Sequence, residues 1–243
     1  MVTIGTIFQT ALILLFLSSH ALAWVQAAPN EAIFFEDTDF GGASLTLRLE
    51  PGRRHTLLSR LEGLDKKISS LVVGDNVKVL AFTEPDFKGG VMDYRYTIAK
   101  AMPDDDQISS LIVGPREEPP YGVLFIHKRL SKAKASARRA WTQITGKGSF
   151  FPLPESEREL EAGFPQVPAE WDDRVRYVYV SPNVAVELFE DPGLQGRSLS
   201  LPPPNGGQQI VFDLRGFGFY DPQKSSAGVV SSLIVRTREI RKK

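Results

Sequence analysis

One phrase recurs along this chain: an aromatic residue, four turn-forming residues, an apolar residue and a nearby Gly, then downstream Ser-Ser and a short apolar run. It occurs as Phe35 to Gly42, Phe82 to Gly89 and Phe189 to Gly196. The closing runs are Ser69-Ser70-Leu71-Val72-Val73, Ser109-Ser110-Leu111-Ile112-Val113 and Ser231-Ser232-Leu233-Ile234-Val235. Repetition on this scale dictates stacked equivalent units, each too small to bury its apolar face alone.

Between the repeats the apolar residues alternate with polar ones, as at Leu45, Leu47 and Leu49 and again at Leu199 and Leu201, with Gly, Pro, Asp and Asn marking the turns. This pattern predicts short antiparallel strands and an all-β chain. A longer duplication lays Val73 to Phe82 on Val180 to Phe189 at a constant offset. One step upstream, Asp172 to Val180 follows the pattern of Asp105 to Val113, so a fourth, degenerate unit precedes the last one. Its opening strand is read as Tyr121 to Phe125, with Phe125 standing where Phe35 and Phe82 stand. Within it, Lys128 to Lys147 is basic and free of acids, and Leu130, Ala133, Ala137 and Trp141 recur at helical spacing. Ser156 and Glu159 offer a capping box further on. The expected organisation is therefore a domain over 30–115, a linker over 116–120, and a second domain over 121–238 carrying a basic, partly helical insertion at about 128–170.

Residues 1–23 contain no charged side chain, and the apolar run Ala11 to Leu17 ends in Ser18-Ser19-His20-Ala21-Leu22-Ala23. That predicts a signal peptide cleaved after Ala23, with Ala27 or Ala28 as the other candidate positions, and hence a secreted, extracellular protein. A retained anchor is the alternative, but a span needs about 20 apolar residues and Ser18 to His20 cut this one short. The sequence has no Cys, which removes thiolate zinc sites, thiol nucleophiles and disulfides together. Its formal net charge is zero, so only a local patch would attract an anionic partner.

At the repeated phrases the chain resembles the βγ-crystallin superfamily, whose Greek-key motif carries the aromatic, the second aromatic, the Gly and a later structural Ser. The resemblance is full in units one and two. Unit four has Leu194 for its second aromatic, and unit three lacks the Gly and has Tyr177 where the Ser belongs. The fold implied is two Greek-key β-sandwich domains. The paired aromatics would pack on a folded-over hairpin, and Ser70, Ser110 and Ser232 would hydrogen-bond its backbone.

The resemblance also implies calcium, held by an Asn/Asp-Asn/Asp-x-x-Ser/Thr-Ser loop with a carbonyl from the partner unit's hairpin. Calcium takes six to eight hard oxygens, which carboxylates, hydroxyls, carbonyls and water supply. Unit two matches in full, giving Asp105, Asp106 and Ser109 with Glu36 as hairpin partner. Unit one offers Asp65, Ser69 and Thr83 more weakly, because Lys66 replaces an acid. Asp172-Asp173 and Ser231 keep different parts of the motif in the second domain. A solvated acidic turn is the plain alternative for Asp104 to Asp106.

No metalloprotease, nucleophile-elbow or phosphate-loop motif occurs, and the three His residues stand apart. His55, in a basic turn, is read as solvated. The expectation is thus a secreted, non-enzymatic protein that binds calcium, with the structural or stress-related role the resemblance implies, and no specific nucleic-acid partner. The alternative is a surface-active or toxin-like protein that engages an anionic membrane or an extracellular protein through Lys128 to Lys147. A solvated loop balanced by Glu155 to Glu161 is the plainer account of that stretch.

Overall fold

The computed structural model describes residues 25–100, 106–118, 121–126, 148–181, 184–201, 210–220 and 229–237. The expected leader and the basic stretch 127–147 lie outside the described residues, so the helix expected there is not among them.

Four Greek keys build the molecule. Unit one is β1 (Glu31–Phe35), β2 (Ser44–Arg48), β3 (Thr56–Leu58) and β4 (Ser70–Val73). Unit two is β5 (Val77–Glu84), β6 (Lys88–Tyr94), a single bridge at Ile98 and β7 (Ser110–Pro115). Unit three is β8 (Gly122–Ile126), β9 (Gly148–Pro152), β10 (Glu161–Phe164) and β11 (Tyr177–Val180); unit four is β12 (Val184–Asp191), β13 (Gln195–Leu201), β14 (Ile210–Asp213) and β15 (Ser232–Thr237). In each unit the first strand pairs antiparallel with the second and the last, while the third crosses to the partner unit's sheet. Thus β3 pairs β7, Ile98 bridges Leu71, β10 pairs β15 and β14 pairs β11. This exchange welds units one and two into one sandwich and units three and four into another, the βγ-crystallin-like arrangement.

Each sandwich closes over its own core. The first gathers Phe34, Ile68, Leu71, Val79, Ile108 and Leu111, and the second Phe125, Trp171, Val178, Leu188, Leu214 and Leu233. Closing strands buried along their whole length, such as β4 and β11, read in sequence as largely apolar runs because both their faces are covered. A third cluster, with Leu80, Phe82, Ile112, Leu124, Phe150 and Tyr179, lies between the sandwiches. There β6 pairs β9 through Lys88 with Ser149 and Gly89 with Gly148, joining the sheets of units two and three into one of eight strands.

Three expectations change. Residues 148–170 are not insertion: they contain β9 and β10, which unit three needs, and no α-helix occurs among the described residues. Ser156 and Glu159 make a turn, with the Glu159 amide donating to the Ser156 carbonyl at 3.2 Å. The residue standing where Phe35, Phe82 and Phe189 stand is Ile126 rather than Phe125. Ile126 pairs with Tyr177 as Phe35 does with Ser70, Phe82 with Ser110 and Phe189 with Ser232. A shift of one residue turns a strand side chain to the opposite face, and Phe125 accordingly packs in the core of the second sandwich against Phe151 and Trp171.

Candidate metal centre

The repeated phrase forms the same folded hairpin three times. Ser70 Oγ donates to the Asp37 carbonyl at 2.6 Å and accepts from the Phe40 amide at 3.1 Å. Ser110 does the same with Glu84 and Phe87 at 2.8 and 3.1 Å, and Ser232 with Asp191 and Leu194 at 2.6 and 3.0 Å. These buried hydroxyls clamp the fold-over, as the resemblance implied. Phe35 meets Phe40 and Phe82 meets Phe87 at ring-centroid distances of 5.6 and 5.7 Å. At Gly89 a Cβ would meet Thr83 Oγ1 at 2.3 Å, with φ at +84°, so both space and backbone demand Gly.

The loop ahead of each Ser pair is also conserved in shape within the chain. Its second position is left-handed in three units, at Lys66 (φ 55°), Asp106 (φ 55°) and Asp173 (φ 53°). Lys66 and Asp106 both point outward and are exposed. The first hydroxyl residue sits on its own hairpin: the amides of Ser69, Ser109 and Ser231 donate to the carbonyls of Phe35, Phe82 and Phe189 at 3.0, 2.8 and 3.0 Å. Of the hydroxyl residues, Ser109 was expected with Glu36 and Ser69 with Thr83, whereas each lies on its own unit's hairpin. Glu36 adjoins Ser69, and Thr83 adjoins Ser109.

What crosses between units is the loop. The Lys66 amide donates to the Ile108 carbonyl at 2.9 Å, and the Asp173 amide donates to the Val230 carbonyl at 3.4 Å. The Leu61 amide donates to the Ser109 carbonyl as the Val167 amide does to that of Ser231. In the second sandwich this register sets Ser231 Oγ on Asp172 Oδ1 at 2.5 Å. By the same register the residue matching Asp172 for Ser109 is Asp65. Asp105, the equivalent first-position acid of unit two, lies outside the described residues.

The two hydroxyls differ in one respect. Ser231 and Asp172 satisfy each other, whereas Ser109 Oγ is fully buried and has no hydrogen-bond partner among the described residues. An unpaired buried hydroxyl costs about 1–3 kcal/mol, and its free lone pairs suit a hard cation. Asp65, exposed at the loop entrance, adds a carboxylate; Thr83 lies at the bulge between Phe82 and Glu84, and Gln107 is exposed beside Ser109. This donor chemistry fits calcium. The position beside Glu36 fits it less well, because Lys67 Nζ lies 3.3 Å from Glu36 Oε1 and a neighbouring ammonium opposes a divalent ion. In unit three Arg176 occupies the hydroxyl position and its guanidinium lies over the Tyr177 ring at 5.0 Å. Among the described residues no cluster of three His, Cys, Asp or Glu side chains occurs.

No family model matches the sequence, and no curated protein is similar to it. Among solved structures, the chain is similar to a βγ-crystallin domain of Abundant Perithecial Protein from Neurospora crassa in the Ca2+-bound form, at 22% identity over 37% of this chain and 94% of that one, with a TM-score of 0.33. It is also similar to a βγ-crystallin from Ciona intestinalis, at 26% identity over 33% and 95%, TM-score 0.28. A βγ-crystallin domain from Clostridium beijerinckii gives 22% identity over 34% and 95%, TM-score 0.29. The strand exchange, Ser clamps and folded hairpins set out above define the class: this is a chain of βγ-crystallin-like fold with two Greek-key sandwiches.

Proposed function

We propose that this chain is a secreted, non-enzymatic βγ-crystallin-like protein whose first sandwich binds one calcium ion, which stabilises it. The observation that carries the reading is the buried, unpartnered hydroxyl of Ser109, set in the same backbone register as the Ser231 hydroxyl that meets Asp172. Asp65 and Ser109 supply side-chain oxygens, and Thr83, next to the Phe82 carbonyl that anchors Ser109, stands on the hairpin side. A calcium ion brings two charges that would draw these groups together. The chain's own part is to fix Ser109 against the hairpin and to hold Asp65 across from it through the Lys66 amide. Secretion rests on the uncharged leader ending at Ala23, and calcium outside cells is available to a modest site.

The test is thermal unfolding of the mature chain with calcium, with magnesium and with a chelator. A ligand binding only the folded state adds RT ln(1 + [L]/Kd), about 2.7 kcal/mol at a hundredfold excess over Kd. Calcium is expected to raise the melting temperature and magnesium to do so far less, since magnesium dehydrates reluctantly and demands stricter geometry. An identical transition in all three conditions contradicts the reading.

A further inference from the structure

Residues 153–159, between β9 and β10, form a strap laid over the turn Gly52 to His55 of the first sandwich. Arg54, 6% exposed, donates its guanidinium to the carbonyls of Pro154, Ser156, Glu157 and Glu159. The Arg54 amide donates to the Glu155 carbonyl at 2.9 Å, and the Glu157 amide to the Gly52 carbonyl at 3.2 Å. Glu155 accepts from the Leu57 amide at 2.6 Å and pairs with Arg53. His55, read from the sequence as solvated, is 1% exposed, with Nε2 at 2.8 Å from the Leu153 carbonyl. A carbonyl only accepts, so Nε2 carries the proton; Nδ1 is then a buried acceptor, and it has no partner among the described residues.

The ground around His55 is already cationic. Arg54 adjoins it on the turn. Across a cavity of about 10 Å3 stands Lys78 of β5, 3% exposed, its ammonium on the Glu118 carbonyl of the segment between the sandwiches. Glu155 faces His55 from the strap, Tyr121 lies under Arg54 at 5.9 Å, and Asp93 on β6, Arg95 just after it and Glu117 lie beyond Lys78. Burial pulls Lys78 down to about 8, so it is charged at neutral pH and below.

We propose that the strap is an acid-released latch, closed over the turn while the His55 imidazole is neutral and freed when His55 takes a proton at Nδ1. The proton would put a third cation into a buried seam that holds Arg54 and Lys78, with no acceptor at Nδ1 among the described residues. Burial holds His55 down at about 4 in the closed form, whereas an exposed imidazole titrates near 6.5. Between these values the released form carries the extra proton. The latch is therefore fully closed above pH 6.5, weakens about tenfold per pH unit as the pH falls, and levels off below 4. Release frees the Arg54 guanidinium and the His55 ring from the strap carbonyls, while the apolar contacts of Phe82, Leu124 and Phe150 keep the sandwiches together.

The chain lacks Cys, so Arg158→Cys on the strap and Thr46→Cys on β2 accept spin labels without background. The expected result is one narrow distance distribution at pH 7.5. A second, broader population then grows about tenfold per pH unit below 6.5, is absent in the same protein carrying His55→Gln, and leaves the far-ultraviolet dichroism unchanged. An unchanged distribution at pH 4.5, or the same pH dependence in His55→Gln, overturns the proposal. Should His55→Gln fail to fold, the imidazole resonances of His55 in the unsubstituted protein decide: a midpoint well below 6.5 alongside the broad population supports the latch, and a midpoint near 6.5 overturns it.

Discussion

Ser70, Ser110 and Ser232 each give one hydrogen bond to the folded hairpin and take one from it. Ser110→Ala leaves the Glu84 carbonyl and the buried Phe87 amide without their partner, and is expected to cost about 1–3 kcal/mol, read as a lowered denaturant midpoint at constant slope. Two glycines offer a sharper comparison. Both Gly63 and Gly89 have positive φ, but a Cβ at Gly63 meets nothing within 4 Å, whereas at Gly89 it meets Thr83 Oγ1 at 2.3 Å. Gly63→Ala should lose about 1–2 kcal/mol from the backbone alone. Gly89→Ala adds a steric clash and should lose clearly more; equal losses in the two variants would mean that close approach plays no part.

At the scale of elements, the strap and its turn make a prediction about Arg54. Replacing its guanidinium with Met strips several carbonyls of their donor, and hydrogen bonds to charged groups contribute about 1.5–3 kcal/mol each, with shared geometry keeping the sum below the simple total. Arg54→Met should make the 153–159 segment the first site of proteolytic cutting, and Arg54→Lys should rescue little, since an ammonium cannot span four acceptors as the planar fork does. The same elements show what the sequence could reveal. The hairpins, their Ser clamps and the antiparallel strands were legible because each follows from residues a few positions apart: an aromatic, a Gly that tolerates positive φ, a period of two. Ile126 was missed in favour of Phe125 because aromatic character suggested one register, while pairing with Tyr177 sets another. Arg54 and His55 read as a solvated basic turn because their burial comes from the second sandwich, about a hundred residues away in sequence.

For the whole molecule, exchange of third strands decides which loop meets which hairpin. The motif offered the residue types of the proposed metal position but not which of them meet, since Asp65 is brought toward Ser109 through the register of Lys66 with Ile108 between units. Symmetry then sorts the remaining positions. Ser231 is already satisfied by Asp172, Glu36 is paired with Lys67, and Arg176 replaces the hydroxyl in unit three. Lys67→Gln is accordingly expected to add weak calcium binding beside Glu36, seen as a second, lower-affinity phase. The central claim is tested most directly by calorimetric titration of calcium into the mature chain and into Asp65→Ala and Asp106→Ala. The account predicts one site per chain, lost or weakened at least tenfold in Asp65→Ala and little changed in Asp106→Ala, whose side chain is exposed at the left-handed position. No binding heat in the unsubstituted protein, or a loss confined to Asp106→Ala, would contradict it.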